Sequence, residues 1–211
     1  MDALIQYVKQ CFKEEYTGHD FFHAQRVVSL AEKIYEKEVS FPKEEELRLI
    51  KAIGYLHDVV DEKLTSKRKE RYQEINSLLE QEGFSPKEQE EILYVIEHLS
   101  FSKNQKERAS LSLLGQIVQD ADRLDAIGAI GIARAFAFGG RKDQALYDER
   151  VPLIKKIPEK RSSSTLHHFY EKLFFIENQM NTKIGQAIAK ERTQYLKKFI
   201  EEFLKEWQQK N

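Results

Sequence analysis

The chain has 211 residues, 41% apolar and 33% charged, enough for one domain with a hydrophobic core or at most two small ones, and too apolar for a disordered chain. A net charge of −1 gives no global attraction to nucleic acid or to an anionic membrane, so any anionic ligand must be met by a local group of Lys and Arg. The single cysteine, Cys11, excludes an intrachain disulfide framework and a cysteine-built zinc site, while 9 Gly and 4 Pro are too few for the frequent turns of an all-β fold.

In chain order, Met1-Asp2-Ala3-Leu4 lacks the basic-then-apolar order of a signal peptide. Nowhere does an apolar run approach the ~18 residues of a membrane span, so a cytoplasmic protein is expected. Leu4, Ile5, Val8 and Phe12 predict a first helix over 2–16, interrupted at Gly18. Asp20 stands at an N-cap position before Val27, Leu30, Ala31, Ile34 and Tyr35, and Phe41-Pro42 ends that segment. The next helix carries Leu47, Ile50, Ile53, Gly54 and His57 and stops near Asp58. A charged stretch from Asp61 to Arg71 precedes a helix around Ile75 to Leu79, closed by Gly83. Ser85 as N-cap and Pro86 at the first helical position open a helix through Ile92, Val95, Ile96 and Leu99. Residues 111–137 read as one or two helices, ended by Gly139-Gly140. The segment 139–165 is polar and basic and is expected to be a lid or a mobile loop. The last helices run from about Leu166 to Trp207, with Leu196, Phe199, Ile200, Phe203, Leu204 and Trp207 on one stripe. With no repeat and no clean linker, the expectation is an all-α, single-domain protein over 1–211.

Four ionisable side chains fall on apolar faces. His23 precedes Val27, Leu30 and Ile34 at helical spacing, His57 extends the face of Ile50, Ile53 and Gly54, Asp58 follows it directly, and Asp122 lies four residues after Val118. Burying such groups is costly unless they are paired or bind a metal. Each alone is more often a hydrogen-bonded core residue or a helix cap. The ordered set His, His-Asp, Asp shifts the balance towards metal coordination. His-Asp occurs twice, at His19-Asp20 and His57-Asp58, but no histidine precedes His19, so the second is the middle element. The first ligand is then His19 or His23, one turn apart, with His23 preferred because it lies inside the periodic helix.

On these residues the chain resembles the HD-domain superfamily of metal-dependent phosphohydrolases, whose pattern is H…HD…D. The segments that carry the resemblance are residues 18–27 (Gly18 to Val27), 56–62 (Leu56 to Glu62) and 120–125 (Asp120 to Asp125). With the flanking segments 96–102 and 168–173 they look like the small bacterial YpgQ/YedJ-type subgroup, and the resemblance covers nearly the whole chain. It implies an HD-domain helical bundle holding one divalent ion, Mn²⁺ first, with Mg²⁺, Fe²⁺, Co²⁺, Ni²⁺ or Zn²⁺ as alternatives. Two imidazoles and two carboxylates are a donor set for such ions rather than for Ca²⁺.

The implied chemistry is nucleotide phosphate hydrolysis: a pyrophosphohydrolase converting a (deoxy)nucleoside triphosphate to monophosphate and pyrophosphate. Asp61 and Glu62, three and four residues beyond Asp58, are candidates to orient or deprotonate water, and His98 to bind phosphate or protonate a leaving group. Against these, exposed acids are commonly just solvated and a histidine on an apolar face is often core. For the substrate's charge, Arg26, one turn past His23, is the first choice, with Lys63, Arg123, His168 and Lys172 as further contacts and the loop cations Lys155, Lys156, Lys160 and Arg161 behind them. Guanosine-tetraphosphate hydrolysis and 5′-nucleotidase or phosphodiesterase activity are the alternatives within the superfamily, and a non-catalytic nucleotide-binding helical protein is the alternative outside it. The expected partner is a small-molecule nucleotide, with no nucleic acid and no membrane; homodimerisation stays open.

Overall fold

The computed structural model describes residues 1–14, 18–62, 64–99, 109–154 and 163–209. Lys63 and the loop cations Lys155, Lys156, Lys160 and Arg161 lie outside the described residues. Among the described residues there are nine α-helices, one 3₁₀ helix and no strand: α1 (Asp2–Cys11), α2 (Phe21–Glu38), α3 (Glu44–Leu56), α4 (Arg68–Gln81), α5 (Pro86–His98), α6 (Leu113–Asp125), α7 (Gly128–Arg141), α8 (Thr165–Glu171), the 3₁₀ helix Leu173–Gln179, and α9 (Lys183–Trp207). None of these helices is long and apolar enough to cross a membrane.

The chain divides into two compact units, Met1–Ala121 and Asp122–Asn211, with the division falling inside α6. In the first unit α2 packs on α3, α3 on α5, and α1 on α3 and α4. The shared core is Leu4, Val8, Val27, Ile34, Ile50, Ile53, Ile92 and Val95, all fully buried. Gly54 lets α2 and α3 approach closely, since a Cβ there would come within 2.7 Å of Val28 Cγ2. That closeness matters because α2 carries His23 and α3 leads into His57 and Asp58.

Local chemistry sets the helix ends. Ser85 and Glu88 form a reciprocal capping box at the start of α5, with Pro86 at the first helical position as expected. At the end of α4, Gly83 takes φ +77, its N–H donates to the Glu80 carbonyl (2.9 Å) and that of Phe84 to Leu79 (3.0 Å). This Schellman closure needs a left-handed residue, which glycine supplies without strain. Three boundaries differ from expectation. α1 ends at Cys11, short of residue 16. α4 begins at Arg68, inside the stretch read as a charged connection, because Ile75 and Leu79 need only one buried stripe beneath a polar surface. α7 continues through Gly139-Gly140 to Arg141, so the connection starts later than residue 139.

In the second unit α7 packs on α8 and α9, and Phe136, Phe169, Phe199 and Phe203 form an aromatic cluster with ring centroids about 6 Å apart. Leu196 and Ile200 of α9 are buried as expected, but Trp207, placed on the same stripe, is 43% exposed where the helix runs out.

Candidate metal centre

α2 opens with Asp20 as its N-cap, whose carboxylate accepts from the backbone N–H of His23 at 2.8 Å. His23 therefore sits in the first helical turn, with its ring buried. α3 stops at Leu56, and the following residues tighten into turns in which the Val59 N–H donates to the Leu56 carbonyl (3.0 Å) and that of Asp61 to Asp58 (3.1 Å). His57 and Asp58, both buried, stand on this turn.

The His57 Nδ1–H donates to the Gly54 carbonyl at 2.7 Å, because a carbonyl can only accept. In the neutral ring Nε2 is then the lone-pair atom, the arrangement typical of ligating histidines. It lies 3.2 Å from His23 Nε2 and 3.4 Å from Asp58 Oδ2. His23 Nε2 is 3.5 Å, and His19 Nδ1 2.8 Å, from the same oxygen. Three imidazole nitrogens thus surround one carboxylate oxygen, and the donor atoms of His19, His23 and Asp58 all lie within 4.8 Å of one another, close enough to hold a metal ion. A proton on His23 Nε2 can face either His57 Nε2 or Asp58 Oδ2, not both; a divalent cation satisfies all three. The mixed nitrogen and oxygen donors suit a first-row ion. Burial alone would raise the Asp58 carboxyl, but without a metal the positive charge of a doubly protonated His57 ring and hydrogen bonds from His19, His23 and His57 outweigh it and hold the group well below the usual carboxylate range; a metal on His57 Nε2 would take the place of that second proton.

His19, the alternative to His23 in the sequence, is thus in the cluster together with it. Its signal was Gly18, which takes φ +92 in the turn that delivers His19 to Asp58. Asp122 is half-buried on α6, four residues after the fully buried Val118.

Asp61 is half-buried, whereas Glu62 is exposed and ion-paired with Arg68 at 2.8 Å. The α-helix that would place both acids one turn beyond Asp58 does not continue, since the backbone has turned by then. His98 caps the exposed end of α5: Nδ1 donates to the Tyr94 carbonyl at 2.7 Å and the two rings stack. Among the described residues, no metal-competent group includes Asp61, Glu62 or His98. Arg26 is half-buried on α2. Arg123 is buried and donates from Nη1 to the Gln179 carbonyl at 2.5 Å, which ties α6 to the 3₁₀ helix. Lys172 stands between α8 and the 3₁₀ helix, as the C-cap of the one and the N-cap of the other.

His168 is pushed down to about 4, first by burial and then by the Lys172 charge. It is therefore neutral at pH 7. The unfolded chain takes up this proton near 6.5 and the folded chain only near 4, so stability should fall as pH drops from about 6.5 to about 4, by at most ~3 kcal/mol. We expect His168→Phe to flatten that part of the profile in urea unfolding at a series of pH values. An unchanged slope would remove His168 as its source.

The HD domain family model matches residues 21–127, a span that begins with α2 and ends just beyond α6. The chain belongs to the HD-domain family. Within it, the chain is similar to YpgQ of Bacillus subtilis, with 33% identity over 206 residues covering 97% of this chain and 92% of that one. The crystal structure of YpgQ in complex with ADP aligns with a TM-score of 0.76 at 30% identity, over 97% of this chain and 96% of that one. A Lactobacillus plantarum structure (TM-score 0.82) and an HD-superfamily hydrolase from Bacillus thuringiensis (0.75) are each 35% identical, over 98% of this chain and 96% of theirs.

Proposed function

We propose that the chain is a metal-dependent phosphohydrolase that splits a nucleoside triphosphate, preferentially a deoxynucleotide, into the monophosphate and pyrophosphate. The observation that carries this reading is the convergence of His23, His57 and Asp58 on one buried point. A nucleotide substrate is supported by similarity to YpgQ, whose structure was solved with ADP, and hydrolysis by similarity to the Bacillus thuringiensis HD-superfamily hydrolase.

In this reading His23, His57, Asp58 and Asp122 hold one divalent ion, Mn²⁺ first. When bound, such an ion lowers the pKa of water from ~15.7 towards ~7 and polarises a phosphoryl oxygen. Asp61 accepts the water's proton; its backbone N–H is tied to the Asp58 carbonyl, and it is preferred over Glu62, which is drawn towards Arg68. His98 protonates the departing oxygen. Arg26 is the first candidate to meet the phosphates. Arg123 already serves the Gln179 carbonyl, Lys63 and Lys172 add charge, and neutral His168 acts as a hydrogen-bond partner rather than a cation.

The test is to give the Mn²⁺-loaded chain deoxynucleoside triphosphates and guanosine tetraphosphate side by side. Release of monophosphate and pyrophosphate from the former is expected. Orthophosphate alone, or turnover of guanosine tetraphosphate only, reassigns the reaction. No turnover of any phosphorylated metabolite favours a non-catalytic nucleotide-binding protein.

A further inference from the structure

Resting on the metal-centre reading above, we propose that His19 is a positioning residue, donating from Nδ1 to Asp58 and aiming that carboxylate at the point shared by His23 and His57, and is not itself a ligand. The cluster contains three histidines, and they are not equivalent. The side chains of His23 and His57 are 1% exposed, that of His19 39%. His23 is fixed in the first turn of α2, and His57 is locked by its bond to the Gly54 carbonyl. His19 lies outside any helix, on the turn between Gly18 and the cap residue Asp20. Its ring meets His23 edge-on at 5.5 Å between centroids, and its hydrogen bond goes to the carboxylate oxygen that the other two rings also approach.

Direction follows from chemistry. In an imidazole–carboxylate hydrogen bond the ring nitrogen donates and the carboxylate oxygen accepts, so His19 Nδ1 carries the hydrogen. A nitrogen that donates to a carboxylate has no lone pair to give a metal, and the remaining polar atom, Nε2, belongs to the exposed ring. A carboxylate that ligates a metal is itself normally held by an outer hydrogen bond, and losing such a bond costs about 10–100-fold in metal affinity. His19 is in place to supply that bond.

The competing role, direct ligation through the His19, His23 and Asp58 group, predicts a different response to asparagine. An asparagine amide can present an N–H close to where Nδ1 lies, but it is a poor ligand for a first-row ion. The experiment is a Co²⁺ titration of the full chain, followed by calorimetry and visible absorption, for wild type, His19→Ala and His19→Asn, with metal-free unfolding midpoints measured alongside. We expect alanine to weaken Co²⁺ binding about 10–100-fold with the absorption band unmoved, and asparagine to recover most of the affinity. Unchanged affinity in the alanine variant overturns the proposal. So does a band shift indicating a lost nitrogen ligand, or an asparagine variant that binds no better than alanine. If alanine fails to fold, the asparagine variant decides, by near-wild-type affinity or its absence. A wild-type chain that binds no Co²⁺ overturns the metal-centre reading itself, and this inference with it.

Discussion

Replacing Asp58 by alanine should reduce the proposed nucleotide hydrolysis on the order of 10³-fold or more, beyond the ~10–100-fold that losing an outer hydrogen bond costs. All three rings of His19, His23 and His57 lie within 3.5 Å of its Oδ2. Without Asp58, the cation loses one of its two proposed anionic ligands and keeps only imidazole lone pairs at this end of the centre. The same substitution should abolish stabilisation by metal. An ion at about 100 times its Kd adds ~2.7 kcal/mol, which for a chain of this size raises Tm by roughly 5–10 °C. Thermal unfolding with and without Mn²⁺ should show that rise in wild type and none in Asp58→Ala. A variant that keeps the rise, or the activity, removes Asp58 from the centre.

Asp122→Asn carries the second large effect. The change keeps size and polarity but removes the other proposed anionic ligand, so metal affinity and turnover should both fall about 10²-fold or more. Asp125 is the control. It forms an ion pair with Arg134 at 2.8 Å and is itself buried, so Asp125→Asn should cost stability, up to ~3–5 kcal/mol, and leave metal binding in place. Calorimetric titration with Mn²⁺ and urea unfolding of both variants separate the roles. If Asp122→Asn binds metal like wild type, the fourth ligand lies elsewhere.

The parts legible from sequence were those governed by local chemistry. The Asp20 cap, the Ser85-Pro86 start and the Gly83 stop are each set by a few neighbouring residues, and all appear where the residue types place them. The convergence of His23 with His57-Asp58 was also readable, because two amphipathic helices with ionisable groups on their apolar faces have to bury them against each other. Less was legible where the backbone leaves helical periodicity. Counting three and four residues beyond Asp58 cannot tell the two acids apart, whereas the tightened turn after Leu56 separates half-buried Asp61 from exposed, Arg68-paired Glu62. His19 could be left only as an alternative, since no periodicity shows that a turn opened by Gly18 brings its ring to Asp58. The pairing of Arg123 with the Gln179 carbonyl joins residues far apart in sequence and has no local signature.

The most direct measurement is metal stoichiometry. The purified chain, dialysed against Mn²⁺ and analysed by elemental mass spectrometry, should carry one ion per chain, and His57→Ala prepared in the same way should carry almost none. A wild-type chain without stoichiometric metal, or a His57→Ala chain that keeps it, would contradict the assignment of His23, His57 and Asp58 as a metal centre.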